Sequence, residues 1–74
     1  PMVGVFYRSP APGADPFVTE GQRIEADQTV GIIEVMKMMN PVTAGVSGTV
    51  AAFAARDAQA VEFGQTLLTV VEDS

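Results

Sequence analysis

The chain has 74 residues, is 47% hydrophobic, carries a formal net charge of −5 and contains no cysteine and no histidine. A chain this short holds one core, so residues 1–74 read as a single domain. Its acidity argues against nucleic acid and anionic membrane as partners. The missing thiols and imidazoles remove disulfides, thiolate chemistry, histidine bases and the usual transition-metal ligands, so neither catalytic nor metal-binding residues are expected.

No apolar run approaches the roughly 18 residues of a membrane-spanning helix, and residues 1–7 lack the charged start and apolar stretch of a secretion signal. The expectation is a soluble domain in a reducing compartment, the cytoplasm or, in a plant or alga, the plastid stroma. A chain beginning at Pro1 also reads as a piece excised from a longer protein.

Seven glycines and five prolines divide the chain into short apolar segments rich in β-branched residues, which predicts an all-β fold. In chain order, strands are expected over Val3 to Tyr7, Phe17 to Val18, Arg23 to Ile24, Thr29 to Val35, Met38 to Thr43, Gly48 to Ala54, Ala60 to Val61 and Leu67 to Val71. The alanine-rich stretch from Ala51 to Ala60 invites a helix, but its Arg56-Asp57 centre fits a turn better. Between the first two strands lies Ser9-Pro-Ala-Pro-Gly-Ala-Asp-Pro16. Its three prolines fix φ and remove backbone donors, which predicts a stiff loop that projects and joins no sheet.

An internal repeat organises the rest. Gln22, Glu25, Gln28 and Thr29 recur as Gln59, Glu62, Gln65 and Thr66, an offset of 37. Upstream, Val3-Gly4-Val5-Phe6 matches Ser47-Gly48-Thr49-Val50 at an offset of 48 − 4 = 44. The first half has therefore gained 44 − 37 = 7 residues between Phe6 and Gly21, where the proline-rich loop lies. Two similar halves without helices predict a flattened β-barrel or sandwich: two four-stranded antiparallel sheets related by a quasi-two-fold axis, with one protruding loop. Core candidates are Val5, Phe6, Ile24, Val30, Ile32, Val50, Phe53, Val61, Leu67 and Val70.

Lys37 is the only lysine, and it sits in Glu34-Val35-Met36-Lys37-Met38-Met39. Met36 and Lys37 fall at the centre of the turn between the expected fourth and fifth strands. Two-residue hairpin turns favour Asn-Gly and similar pairs because their central residues need positive φ, so Met-Lys here implies a strained turn kept for recognition. Adding 37 to Lys37 gives Ser74, which makes the lysine turn and the chain end symmetry counterparts. With the axis across the long direction of the domain, the lysine is expected at one end and both termini at the other.

These residues resemble the biotinyl domains of biotin-dependent carboxylases, whose attachment motif is Glu-Ala-Met-Lys-Met and reads Glu34-Val35-Met36-Lys37-Met38 here. The likeness covers essentially the whole chain, from Met2-Val-Gly-Val-Phe-Tyr-Arg8 through Ser47-Gly48-Thr49-Val50 to Val61-Glu62-Phe63. Phe6-Tyr7-Arg8-Ser9-Pro10 and the following loop resemble in particular the carrier subunit of bacterial and plastid acetyl-CoA carboxylase, where the loop is called a thumb.

The resemblance implies a barrel-sandwich hybrid with a protruding thumb loop, and biotin in amide linkage to Lys37, attached by a biotin protein ligase that recognises Met36, Met38 and Glu34. The alternatives for these neighbours are packing for the methionines and an ordinary exposed carboxylate for Glu34. It also implies a non-catalytic carrier that takes a carboxyl group from biotin carboxylase to a carboxyltransferase, most simply for malonyl-CoA synthesis from acetyl-CoA in fatty acid synthesis. Ser9 matches the thumb hydroxyl that contacts the biotin ureido ring, its alternative being a plain turn serine. Other readings are a biotinyl domain of another acyl-CoA or pyruvate carboxylase, a lipoyl domain, whose motif usually has Asp before and Ala after the lysine, and an unmodified all-β binding module.

Three positions depart from the family pattern. Val35 replaces the usual Ala, and Asp27 and Ala58 stand where turn glycines are common. Ala enters the left-handed region reluctantly, so the turn from Ala55 to Ala58 is expected to take another shape.

Overall fold

The computed structural model describes residues 2–73 and contains seven strands. They are β1 (Met2–Tyr7), β2 (Arg23–Ile24), β3 (Thr29–Val35), β4 (Met38–Thr43), β5 (Gly48–Phe53), β6 (Gln59–Glu62) and β7 (Leu68–Glu72). They form two antiparallel sheets, ordered β4-β3-β1-β6 and β2-β5-β7. The molecule measures 37 × 27 × 19 Å, and its thin dimension fits two facing sheets about 10 Å apart with their outer side chains. This is the expected all-β flattened sandwich.

The two halves share one register. Gly4, Val5 and Phe6 pair with Val61, Ala60 and Gln59 on one side, and Val5 and Phe6 with Glu34 and Ile33 on the other. In the second half Gly48 and Thr49 face Ile24 and Arg23, while Thr49 and Val50 face Val71 and Val70. The repeated glycine has a physical cause. A Cβ at Gly4 would strike the Glu34 carbonyl oxygen, and one at Gly48 would strike that of Val71, 37 residues on.

The strand count differs from the expected four and four. Phe17 to Val18 joins no ladder: the Phe17 N–H donates to the Arg8 carbonyl at 2.8 Å and the Val18 side chain is buried. The second sheet has three strands among the described residues, β2, β5 and β7.

Packing repeats the symmetry. One buried cluster holds Val18, Ile24, Val30 and Val50, and the other holds Phe6, Ala55 and Val61 with half-buried Leu67 beside them. Each takes three residues from its own half, 37 apart from their counterparts, and one from the other half, so the halves cannot separate without exposing both clusters. At roughly 25 cal/mol per Å² of apolar surface removed from water, this shared core is the main stabilising term. Val18 and Ala55 were absent from the sequence-based core. Val5 and Ile32 are only half-buried, because strand alternation points them away from Phe6.

The recurring glutamines close turns. The N–H groups of Thr19, Glu25, Arg56 and Glu62 donate to the Oε1 atoms of Gln22, Gln28, Gln59 and Gln65 at 3.1, 3.2, 2.8 and 3.0 Å. In three of these four turns the third residue has positive φ: Gly21 at 87°, Ala58 at 60° and Gly64 at 82°. Ala58 thus accepts the left-handed conformation, contrary to the expected change of shape, because the glutamine bond and the Gln59 N–H to Arg56 carbonyl bond at 3.3 Å hold the turn closed. Asp27, by contrast, stays at negative φ.

The Lys37 counterpart, Ser74, lies outside the described residues, but Asp73 is held at the end away from the lysine by Arg23 and the Ser47 carbonyl. The expectation for the other terminus is corrected. Because Val5 pairs with Glu34 in antiparallel register, Met2 comes level with the lysine turn.

Candidate functional site

β3 and β4 are paired to their ends, with Val35 opposite Met38, so Met36 and Lys37 alone make the turn. Both have positive φ, 51° and 67°, the requirement of a type I′ hairpin turn. That conformation matches the right-handed twist of the flanking strands but costs an L-residue with a Cβ roughly 1–2 kcal/mol. Asn40 supports the hairpin by donating from Nδ2 to the Ile33 and Met38 carbonyls at 3.3 and 3.2 Å.

The turn presents its side chains to solvent. Lys37 is exposed and forms no hydrogen bond or ion pair with any described residue. Met36 is 91% exposed and Met38 68%. Neither methionine fills the core. Glu34 is half-buried, two residues before the turn, on the outer face of the four-stranded sheet.

On that face the thumb covers a groove of about 470 Å³. Residues 9–13 form one wall, and Tyr7, Glu34, Met39, Asp57 and Ala58 form the other. The thumb's tip is a turn in which the Ala14 N–H donates to the Ala11 carbonyl at 3.1 Å, with Pro12 second and Gly13 third at φ 80°. Proline and glycine suit those two positions, the one presetting φ and the other tolerating its sign. At the base, Phe17 closes onto Arg8, whose own N–H donates to Asp57 Oδ1 at 2.8 Å and whose guanidinium lies 3.7 Å above the Phe53 ring. The loop is a braced arm, as its prolines predicted.

The groove places Ser9 and Glu34 together but not Met36 or Met38, which stay at the hairpin tip. The Ser9 hydroxyl forms no hydrogen bond with described residues and remains free to meet a ligand. Tyr7 and Asp57 were missed by sequence reasoning. Asp57 carried a signal, being 37 residues from Glu20, whose carboxylate likewise accepts a backbone N–H, that of Phe53 at 3.2 Å. Desolvation in the groove, then the Glu34 charge and its hydrogen bond, then Asp57, push the Tyr7 hydroxyl above its ordinary pKa. It is therefore a hydrogen-bond donor at neutral pH.

Residues 1–70 match the sequence pattern of the biotin-requiring enzyme family. The chain belongs to that family. It is 49% identical over 73 residues to the biotin carboxyl carrier protein of acetyl-CoA carboxylase from Nostoc sp., covering 99% of this chain and 40% of the relative. The proteins of the same name from Haemophilus influenzae and Pseudomonas aeruginosa are 46% and 45% identical, covering 95% and 96% of this chain and 45% and 46% of theirs. The chain thus spans less than half the length of these relatives.

Proposed function

We propose that this domain is a biotin carboxyl carrier, with biotin in amide linkage to Lys37. The observation that carries the proposal is the turn itself. The one lysine in the whole chain stands without a partner among the described residues, on a two-residue hairpin whose left-handed backbone no packing requirement explains. When bound, biotin supplies a ring nitrogen that carries a carboxyl group. The protein's residues do the rest. Lys37 supplies the nucleophilic amine and loses its charge on acylation, while Met36, Met38 and Glu34 present the turn to a biotin protein ligase.

The thumb groove fits the group chemically. Its largely apolar walls suit a fused ring, Ser9 can donate to a ureido oxygen, and Glu34 and Asp57 can accept from ureido N–H groups. A carrier needs no catalytic residue of its own, in keeping with a chain that lacks histidine and cysteine. Its partners are biotin carboxylase, which loads the carboxyl group, and a carboxyltransferase, which unloads it onto acetyl-CoA to give malonyl-CoA. Tethering raises the effective concentration at each active site to roughly the millimolar range. We assign the domain to the cytoplasm, or to the plastid stroma in a plant or alga.

Co-expression with a biotin protein ligase tests this. Intact mass and a streptavidin blot should show one biotin on the wild type and none on Lys37→Arg. A lipoyl-sized adduct, or no adduct, would refute the proposal.

A further inference from the structure

Phe63 is 93% exposed, the most exposed large apolar residue of the described chain. It is second in the turn Glu62-Phe63-Gly64-Gln65, held by the Gln65 N–H to Glu62 carbonyl bond at 3.2 Å, the Glu62 N–H to Gln65 Oε1 bond at 3.0 Å and the left-handed Gly64. The ring therefore projects from a rigid support. Its counterpart 37 residues earlier is Ala26, whose N–H is covered by Ser47 Oγ at 3.2 Å and whose carbonyl is covered by the Gly45 N–H at 2.8 Å. The symmetry breaks here: one turn carries a methyl group, the other an aromatic ring.

The register puts that ring at the lysine end. Val5 lies between Glu34 on β3 and Ala60 on β6, and both strands run toward the hairpin tip. Three residues beyond each partner come Lys37 and Phe63. The two strands are separated only by β1, so the turns stand about 10 Å apart. An enzyme that takes Lys37 into its active site over a standard interface of about 800 Å² covers a disc of roughly 16 Å radius, which includes Phe63.

We propose that Phe63 is a second anchor for the enzyme that biotinylates Lys37, an inference that rests on Lys37 being the attachment site. Met36 and Met38 flank the amine, and Phe63 seats a rigid aromatic ring in an apolar pocket on the ligase. Aromatic residues dominate the energetics of such contacts because they bury much surface for little lost rotamer freedom. Glu34 on β3 and Glu62 on β6 precede Lys37 and Phe63 by three residues and one at the same end of an acidic domain, so the matching ligase face has basic residues around its pocket.

The test uses the full-length protein and measures the ligase kcat/KM for wild type, Phe63→Ala and Phe63→Met, with melting temperatures alongside. Phe63→Ala should lower kcat/KM about tenfold at unchanged melting temperature, and Phe63→Met should recover most of the loss. Failure of the wild type to accept biotin would remove the underlying assignment. A modified wild type with an equally fast Phe63→Ala would overturn the anchor alone. So would a melting temperature lowered in Phe63→Ala, which would mean that the ring packs on its own chain. Normal ligation with slowed carboxylation of the biotinylated variant would assign the surface to the carboxylase instead, and overturn the proposal too.

Discussion

Gly21 and Ala58 occupy the same place in the two halves, 37 residues apart, and both hold left-handed backbone, at φ 87° and 60°. Only one of them can do so without strain. Ala58→Gly removes a left-handed penalty of roughly 1–2 kcal/mol while adding about 0.4–1 kcal/mol of unfolded-state entropy. The variant should be more stable by up to about 1.6 kcal/mol, and Gly21→Ala less stable by a similar amount, since a Cβ at Gly21 meets no atom within 4 Å. Denaturant midpoints with unchanged slopes check both signs.

The hairpin should show a trade between stability and function. Met36 is 91% exposed at φ 51°, so Met36→Asn loses no packing and gains a residue that tolerates the left-handed region. It should stabilise the domain by about 0.5–1 kcal/mol, or several degrees in melting temperature for a chain of this size, while slowing biotinylation. Faster or unchanged ligation would argue against recognition through Met36.

Removing Ala11 to Asp15 should leave the fold intact. All five residues are exposed, and the bond from Phe17 to Arg8 lies outside the deletion. Surface changes of this kind move stability by about 0.5 kcal/mol. Ligation should persist while carboxyl transfer changes, since the groove beside Tyr7 and Glu34 loses one wall. Identical carboxylation and transfer rates would deny the thumb a role.

Tyr7 is the only tyrosine, so its ionisation can be followed by ultraviolet absorbance without interference. Desolvation first and Glu34 second raise its pKa above the ordinary value. Glu34→Gln should bring the midpoint back toward that of free tyrosine, leaving the desolvation effect. The sign for folding follows: a raised pKa stabilises the protonated fold below the unfolded tyrosine value, and that contribution is lost as pH rises through the folded one. A midpoint at or below that of free tyrosine in the wild type would contradict the groove environment.

Much of this protein is determined by local rules and by repetition, and both are visible in the sequence alone. Three prolines crowded at 10, 12 and 16 fix φ and remove the donors a ladder needs, so the thumb needed no partner to be recognised. The offsets of 37 and 44 reveal the two-fold arrangement because each recurring residue acts locally, the glutamines closing turns and the glycines letting strands approach. The lysine between methionines at a tight turn belongs to the same class.

What tertiary structure decided concerns distances between residues far apart in the chain. Ala58 kept its left-handed turn against its own preference because Gln59 locks the turn from outside, and Val18 is buried without being in a strand because residues of both sheets pack around it. Tyr7, Glu34 and Asp57 share one groove only because the thumb folds back over their sheet. Phe63 stands beside Lys37 through the register of three strands, a relation that neither residue's neighbours encode.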